Sequence, residues 1–257
     1  MILSPSTHTA LDDAAELFRK AKRTVVLTGA GISTPSGIPD FRSEGSGLWS
    51  RDEPLETASL STFRTAPEKF FNWFRPLASQ IFHAQPNPAH IALAEFECAG
   101  FQSMIITQNI DGLHQKAGST QVVEMHGMLR TLSCTQCYKK SPSAEYLIPF
   151  IENGTIPHCP NCNAILKPDV ILFGEQLPQA AWQTAQRAAR QCDLMLVAGS
   201  SLEVLPVAGL PVQALDHGAH LIIINNTETY INVRADIVIT ENVATIIPEI
   251  MKRAIHG

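Results

Sequence analysis

Five short runs of apolar, largely β-branched residues, at 24–28, 103–107, 194–198, 221–225 and 236–239, recur along the chain. Unbroken apolarity over so few residues marks a strand buried on both faces. Between them lie segments with helical spacing of apolar residues, at 11–21, 89–99, 179–191, 207–216 and 245–254. Strands that alternate with helices specify an α/β fold in which a mostly parallel sheet is covered on both sides. With 257 residues the chain has enough material for that sheet and for a smaller companion domain.

Two stretches break the rhythm. One, from about 42 to 86, is rich in aromatic residues on helical spacing; the other, from about 134 to 168, carries four of the six cysteines. Together they are expected to build the smaller domain, so that the chain leaves the sheet twice, returns twice, and leaves a cleft where ligands commonly sit. The expected division is 1–41, 87–131 and 169–257 for the sheet domain, and 42–86 with 132–168 for the small one.

Composition narrows the function classes. A net charge of −5 gives no general attraction to nucleic acid or to an anionic membrane. The first ten residues lack a basic segment followed by an apolar run, and no apolar stretch approaches the roughly 20 residues that span a bilayer. The expectation is a soluble cytoplasmic protein. Four cysteines fall into two CxxC pairs while Cys98 and Cys192 stand alone, which suits a reducing compartment; both single thiols are expected to be buried and inert.

The first apolar run leads directly into Gly29-Ala30-Gly31-Ile32-Ser33. Glycines after a strand let the backbone approach phosphate oxygens closely, and the N–H groups of the following turn carry partial positive charge. The dehydrogenase spacing GxGxxG fails, because Thr34 stands at the third glycine position and the stretch from Ser36 through Gly37, Ile38 and Pro39 to Asp40 interrupts any long helix. A standard hydride-transfer site is therefore disfavoured, and an ordinary tight turn remains open on this motif alone.

Cys134 and Cys137 form one CxxC pair, Cys159 and Cys162 the other. Two such knuckles converge on one tetrahedral Zn²⁺, and four thiolates leave no open position, so the metal would hold structure rather than activate a nucleophile. A redox dithiol would need one CxxC at a helix start, and a nucleic-acid-binding ribbon would be more basic than this segment.

Polar residues also stand where a core would otherwise continue. Thr107-Gln108-Asn109-Ile110-Asp111-Gly112-Leu113-His114 follows the second apolar run, at the carboxyl end where open parallel sheets bind ligands. Val122-Val123-Glu124-Met125-His126-Gly127 sets a histidine at a strand end beside a glycine. His126 can serve as a general base near neutrality, and it can equally be a structural histidine. Gly199-Ser200-Ser201 and Asn225-Asn226 end two further strands and are placed either to cap a turn or to bond ribose and phosphate.

In order along nearly the whole chain, these segments, with Ser36 to Arg42 and Lys167 to Glu175, resemble the sirtuin family. The resemblance implies a Rossmann-like domain bearing a smaller domain of helices and a zinc ribbon, with NAD and an acyl-lysine peptide meeting in the cleft. It implies an NAD-dependent protein-lysine deacetylase, one structural Zn²⁺ and acylated-lysine proteins as partners, without nucleic acid or membrane, in a chain that acts as a monomer. Ala30, Thr34, Phe41, Arg42, Gln108, Ser200, Ser201, Asn225 and Val243 would contact NAD, with Gly29, Gly31, Ile38 and Gly199 in the same site. Asp40, Ile110 and Asp111 would line the nicotinamide pocket.

The implied chemistry begins with the acyl oxygen attacking the nicotinamide ribose and displacing nicotinamide. His126 would then act as base on a ribose hydroxyl, Asn109 would orient ribose and water, and lysine and acylated ADP-ribose would leave. Phe41 would shield the reactive face and 42–48 would act as a lid. Ile171, Phe173, Gly174 and Glu175 on one side, and 202–204, with Leu202 and Val204, on the other, would pair the peptide backbone. Family members acting on acidic acyl groups carry a Tyr and, three residues on, an Arg; here Asn72 precedes Arg75, so acetyl is expected over succinyl. Two other readings are weighed beside this one: mono-ADP-ribosyl transfer to protein, and a non-catalytic NAD-binding module.

Overall fold

A computed structural model describes residues 5–40, 54–101 and 103–257, without the side chains of Pro5, Ser6, Pro54 and Leu55. Its centre is a six-stranded sheet built from β1 (Thr24–Thr28), β2 (Ser103–Thr107), β3 (Val122–Glu124), β7 (Leu194–Ala198), β8 (His220–Ile224) and β9 (Ile237–Ile239), in the order β3-β2-β1-β7-β8-β9. Every pairing is parallel. Numbered by appearance within the sheet, that is the doubly wound order 3-2-1-4-5-6, whose direction reverses between β1 and β7 and opens a crevice there. The expected α/β class with a Rossmann-like parallel sheet is therefore met.

The apolar runs are continuous because alternate side chains enter two cores. Val26, Ile105, Leu194, Leu196, Ile222 and Ile224 pack on one face, against α1 (Pro5–Lys20), α5 (Pro88–Cys98) and α10 (Val243–His256). Val25, Leu27, Ile106, Met195, Val197, Leu221 and Ile223 pack on the other, against α8 (Gln179–Gln191) and α9 (Leu210–Asp216). Helix α9 starts later than its apolar pattern, since 207–209 is a 3-10 turn ahead of Pro211. Cys192 is buried as expected, but Cys98, at the end of α5, is exposed: it falls on the solvent side of the last turn.

A third core is aromatic. Helices α2 (Pro54–Thr57), α3 (Leu60–Thr65) and α4 (Pro67–His83) pack together, α4 meets α7 (Ala144–Asn153), and Phe63, Phe70, Phe71 and Phe74 gather with Phe150. Phe71 meets Phe150 edge to face at 5.5 Å, as the quadrupoles of two rings prefer. Both excursions from the sheet thus share one apolar cluster. Beside it, β4 (Gly127–Cys134) pairs antiparallel with β5 (Lys140–Pro142) and β6 (Leu166–Val170), so that β4 and β6 run across both expected crossing points. Among the described residues no helix is long and apolar enough to cross a membrane.

Candidate active site and metal centre

The glycine turn sits at the carboxyl end of β1, on the crevice. It does not open a long helix; two short 3-10 turns, Ala30–Ile32 and Thr34–Ser36, follow instead. Gly31 donates to the carbonyl of Gly199 at 2.8 Å, and a Cβ on either Gly29 or Gly31 would fall within 2.9 Å of Gly199 atoms. The turns after β1 and β7 therefore touch backbone to backbone, which only glycine allows. Gly199 also has φ +60, in the left-handed region.

Above that contact, Gly31, Thr34, Gly199, Asn225 and Val243 line one small, open cleft, together with Pro35, Asn226 and Asn242. Five expected cofactor residues are thereby brought together. Thr34 Oγ1 donates to the Gly31 carbonyl (3.1 Å) and Asn225 Nδ2 to Thr227 (2.9 Å), so each polar head is held beside the cavity. Val243 presents the first turn of α10, with Asn242 capping it.

From this cavity a chain of polar contacts runs beneath the strand ends. Gln108 Nε2 donates to Ser200 Oγ (2.9 Å), joining the ends of β2 and β7. Asn109 Nδ2 donates to the Gly29 carbonyl (3.0 Å) and reaches Ser33 Oγ (3.1 Å), and Ser33 Oγ donates to Asp111 Oδ2 (2.7 Å). Burial raises the Asp111 carboxyl above its usual range, against the opposing pull of the Leu113 N–H and the Ser33 hydroxyl. Ile38 is buried in the aromatic core and Ile110 packs against it. Asp40 is half-buried at the end of the described segment; Phe41, Arg42 and the 42–48 stretch lie outside the described residues.

His126 follows β3, half-buried. Its Nδ1 lies 2.9 Å from the carbonyl oxygen of Gln108. A carbonyl can only accept, so Nδ1 carries the hydrogen and the neutral ring keeps a bare lone pair on Nε2. Burial pulls the ring below the ordinary histidine value, and the Gln108 contact opposes that shift. The residue that fixes this tautomer is thus one of those expected at the cofactor.

The expected peptide residues occupy two segments. Ile171 donates to the His126 carbonyl (2.8 Å), Phe173 is bridged to Ser59, and Gly174 is exposed with nothing within 4 Å of an added Cβ. Leu202 has its side chain in the sheet core and φ +55, with its N–H donating to Ser200 Oγ at 3.3 Å, and Val204 is half-buried. Ser201 is half-buried beside them. Arg75, the one cation of the acidic-acyl pattern, is spent elsewhere: Nε donates to Ile151 O (2.8 Å) and Nη2 to Glu152 O (2.6 Å), capping the carbonyls at the end of α7.

The cysteine sulfurs of Cys134, Cys137, Cys159 and Cys162 all lie within 4.8 Å of one another, with Cys134 to Cys162 at 3.4 Å and Cys137 to Cys159 at 3.6 Å. A tetrahedral Zn²⁺ with bonds near 2.3 Å has S···S edges of about 3.8 Å, so the donor set fits one such ion. Backbone N–H groups of Gln136 and Cys137 point at Cys134 Sγ, and that of Asn161 at Cys159 Sγ, as metal-bound thiolates require.

Sequence reasoning missed Asn87. Its carboxamide donates to Ile32 O (2.8 Å) and Ser36 Oγ (2.9 Å) while its oxygen caps α5, so it pins the glycine turn from behind. It also missed a buried pair, His90 and His114, with rings 4.8 Å apart. His114 Nε2 lies 3.1 Å from Thr28 Oγ1, which bonds Thr107 Oγ1 (2.9 Å) under the Asn109 backbone. An apolar strand ending in Thr was the only signal in the sequence for that layer.

A Rossmann-like sheet with its crevice at a glycine turn, a tautomer-fixed histidine and a four-thiolate knuckle defines a nucleotide-type α/β protein with a structural metal module. Comparison with known proteins makes this specific. The Sir2 family profile matches residues 29–206. NAD-dependent protein deacetylase 2 of Caldanaerobacter subterraneus subsp. tengcongensis is 47% identical, over 89% of each chain. NAD-dependent protein deacylase 2 of Archaeoglobus fulgidus is 43% identical, over 93% of this chain and 94% of its own. A solved Sir2 complex with a p53 peptide and NAD+ superposes with a TM-score of 0.85 at 37% identity, covering 93% of this chain and 96% of that one. The chain belongs to the Sir2 family, the sirtuins.

Proposed function

We propose that the chain is an NAD-dependent protein-lysine deacetylase that yields nicotinamide, the free lysine and O-acyl-ADP-ribose. The observation that carries this reading is the bond from His126 Nδ1–H to the Gln108 carbonyl, which leaves Nε2 to take a proton at the end of the sheet that also carries the Gln108–Ser200 contact. NAD, when bound, supplies an electrophilic ribose carbon with nicotinamide as its leaving group. The glycines at 29, 31 and 199 admit its phosphates, with Ala30 and Thr34 beside them. Gln108, Ser200, Ser201, Asn225 and Val243 hold its sugars and base, while Ile38, Asp40, Ile110 and Asp111 receive the nicotinamide; Phe41 and Arg42 complete the set. Asn109 orients the reacting ribose and His126 removes its hydroxyl proton.

The peptide lies against Ile171, Phe173, Gly174 and Glu175 on one side and against Leu202 and Val204 on the other. The four cysteines hold Zn²⁺ as a structural ion. The two excursions, 42–86 and 132–168, act as the smaller domain, and the shared aromatic cluster supports that division. The protein works as a monomer in the cytoplasm on acylated-lysine proteins, away from membranes and nucleic acid; the net charge of −5 supports the last point, and four cysteines gathered in a metal-type cluster support a reducing compartment.

Acetyl is preferred over succinyl, because Arg75 is committed to α7 and a buried acyl carboxylate would be left without a partner. Mass spectrometry of a reaction with NAD and an acetylated peptide should show acetyl-ADP-ribose and deacetylated peptide in equal amounts, with kcat/KM at least about tenfold lower for the succinylated peptide. ADP-ribose attached to protein without acyl loss would overturn the reading. Equal turnover of the succinylated peptide would overturn the acyl preference alone.

A further inference from the structure

The stretch 167–175 folds around one ammonium group. Lys167 is largely buried, with its side chain 15% exposed, and its Nζ reaches the carbonyls of Val170 (2.7 Å) and Pro168 (3.2 Å) and Glu175 Oε2 (2.9 Å). The same carboxylate oxygen accepts the Leu172 N–H at 2.8 Å, and the Glu175 N–H returns to the Leu172 carbonyl at 2.9 Å. Residues 172–175 are thus a β-turn with Gly174 in third place at φ +90, the conformation that a type II turn demands there. The turn is closed twice, once by its own backbone and once by a side chain that Lys167 holds.

This turn is also tied to the chemistry. The residue before it, Ile171, donates to the backbone carbonyl of His126, and Phe173 exchanges bonds with Ala58 and Leu60, donating at 3.0 Å and accepting at 3.0 Å. Phe173 therefore spends its main chain on the helical module, and Gly174, exposed and without a side chain, is the point most open to an approaching backbone. Without the ammonium, the Glu175 carboxylate, 21% exposed, gains more by turning to water than by staying over the turn, and the Leu172 N–H is released with it.

We infer that Lys167 is a positioning residue for the peptide substrate: through Glu175 it fixes the 172–175 turn against which the main chain on either side of the acyl-lysine docks. The inference rests on the deacetylase reading and on the peptide lying along 171–175. It distinguishes flanking residues from the acyl-lysine itself, since the ammonium acts only on the surface that receives the former.

The test compares wild-type enzyme with Lys167→Met, Lys167→Arg and Glu175→Gln on two substrates, an acetylated peptide with several residues on each side and a single acetyl-lysine blocked at both ends. For Lys167→Met the expected result is a peptide KM raised about tenfold with kcat and the KM for NAD within about twofold, while turnover of the single residue stays within about twofold. Lys167→Arg keeps the charge and recovers most of the peptide KM. Glu175→Gln shifts the peptide KM in the same direction and by less, because its carbonyl still accepts the Leu172 N–H. An unchanged peptide KM, or an equal loss on both substrates, would overturn the inference, even with a lowered melting temperature, since either leaves Lys167 a purely structural role. Should Lys167→Met fail to fold by circular dichroism, Lys167→Gln, which also removes the charge, decides by the same comparison. Failure of the wild-type enzyme to deacetylate either substrate would instead sink the deacetylase reading itself.

Discussion

His126 can act as a base only while its ring is neutral, and burial favours that neutral form by holding its pKa below the ordinary histidine value. Activity at low peptide concentration should therefore stay level through neutral pH and fall only below about pH 6.5, the ordinary histidine value beneath which burial holds this ring. His126→Ala should lower kcat/KM by about 10²–10⁴-fold, with thermal unfolding nearly unchanged, because the ring makes its bond to a carbonyl that solvent can satisfy. Near-normal turnover in that variant would remove His126 from the mechanism.

The second histidine effect concerns stability. Burial pushes His90 down to about 4 and His114, with the neighbouring His90 ring adding to it, down to about 3. In the unfolded chain both titrate near pH 6.5, so on acidification the unfolded state takes up protons first. Stability present above about pH 6.5 is thus lost as pH falls toward 4, on the order of 3 kcal/mol from His90 alone by that point. Asp111, raised by burial, opposes the trend at the acid end. Melting temperature measured from pH 7 to 4.5 should fall steadily and should fall less in His114→Gln; a flat profile in the wild type would contradict the assignment. His126, Asn109 and Asp111 were legible as residues because polar groups interrupt an apolar pattern at strand ends. Asn87 and the His90–His114 pair were not, because their partners lie 55 residues away at Ile32 and 86 away at Thr28, and nothing local betrays such contacts.

At the scale of elements, the four-thiolate knuckle joins the start of the loop after β4 to the loop before β6. Leu132 and Leu166 pack beside Cys134 and Cys159 in a cluster too small to hold three short strands alone. Removing zinc with a chelator should therefore lower the melting temperature by several degrees and reduce activity with it, and adding Zn²⁺ back should restore both. Loss of activity at an unchanged melting temperature would mean that the metal does more than hold structure. Strand positions were the most legible elements: 24–28, 103–107 and 194–198 match to the residue, because runs buried on both faces leave no choice of period. The start of α10 was read two residues late, since Asn242 caps the helix before the apolar pattern begins.

For the whole molecule, the consequence of the strand order is that the turns after β1 and β7 face each other at the switch point, and that β2 and β3 bring Gln108, Asn109 and His126 to the same end of the sheet. On the proposed reading, one cleft then receives a dinucleotide from the glycine side and a peptide from the 171–175 side. The parallel sheet was legible from the alternation of patterns. Its order was not, because adjacency of β1 and β7 depends on packing across some 170 residues, which only the folded chain displays.

On the proposed reading NAD is cleaved here only in answer to an acylated lysine, and nicotinamide release shows this most directly. Purified protein with NAD should release nicotinamide when an acetylated peptide is present and remain near background with the same peptide unmodified. Release that does not depend on the acyl group would contradict the account and point to NAD hydrolysis or ADP-ribosyl transfer, and no release with either peptide would make the cleft a binding site alone.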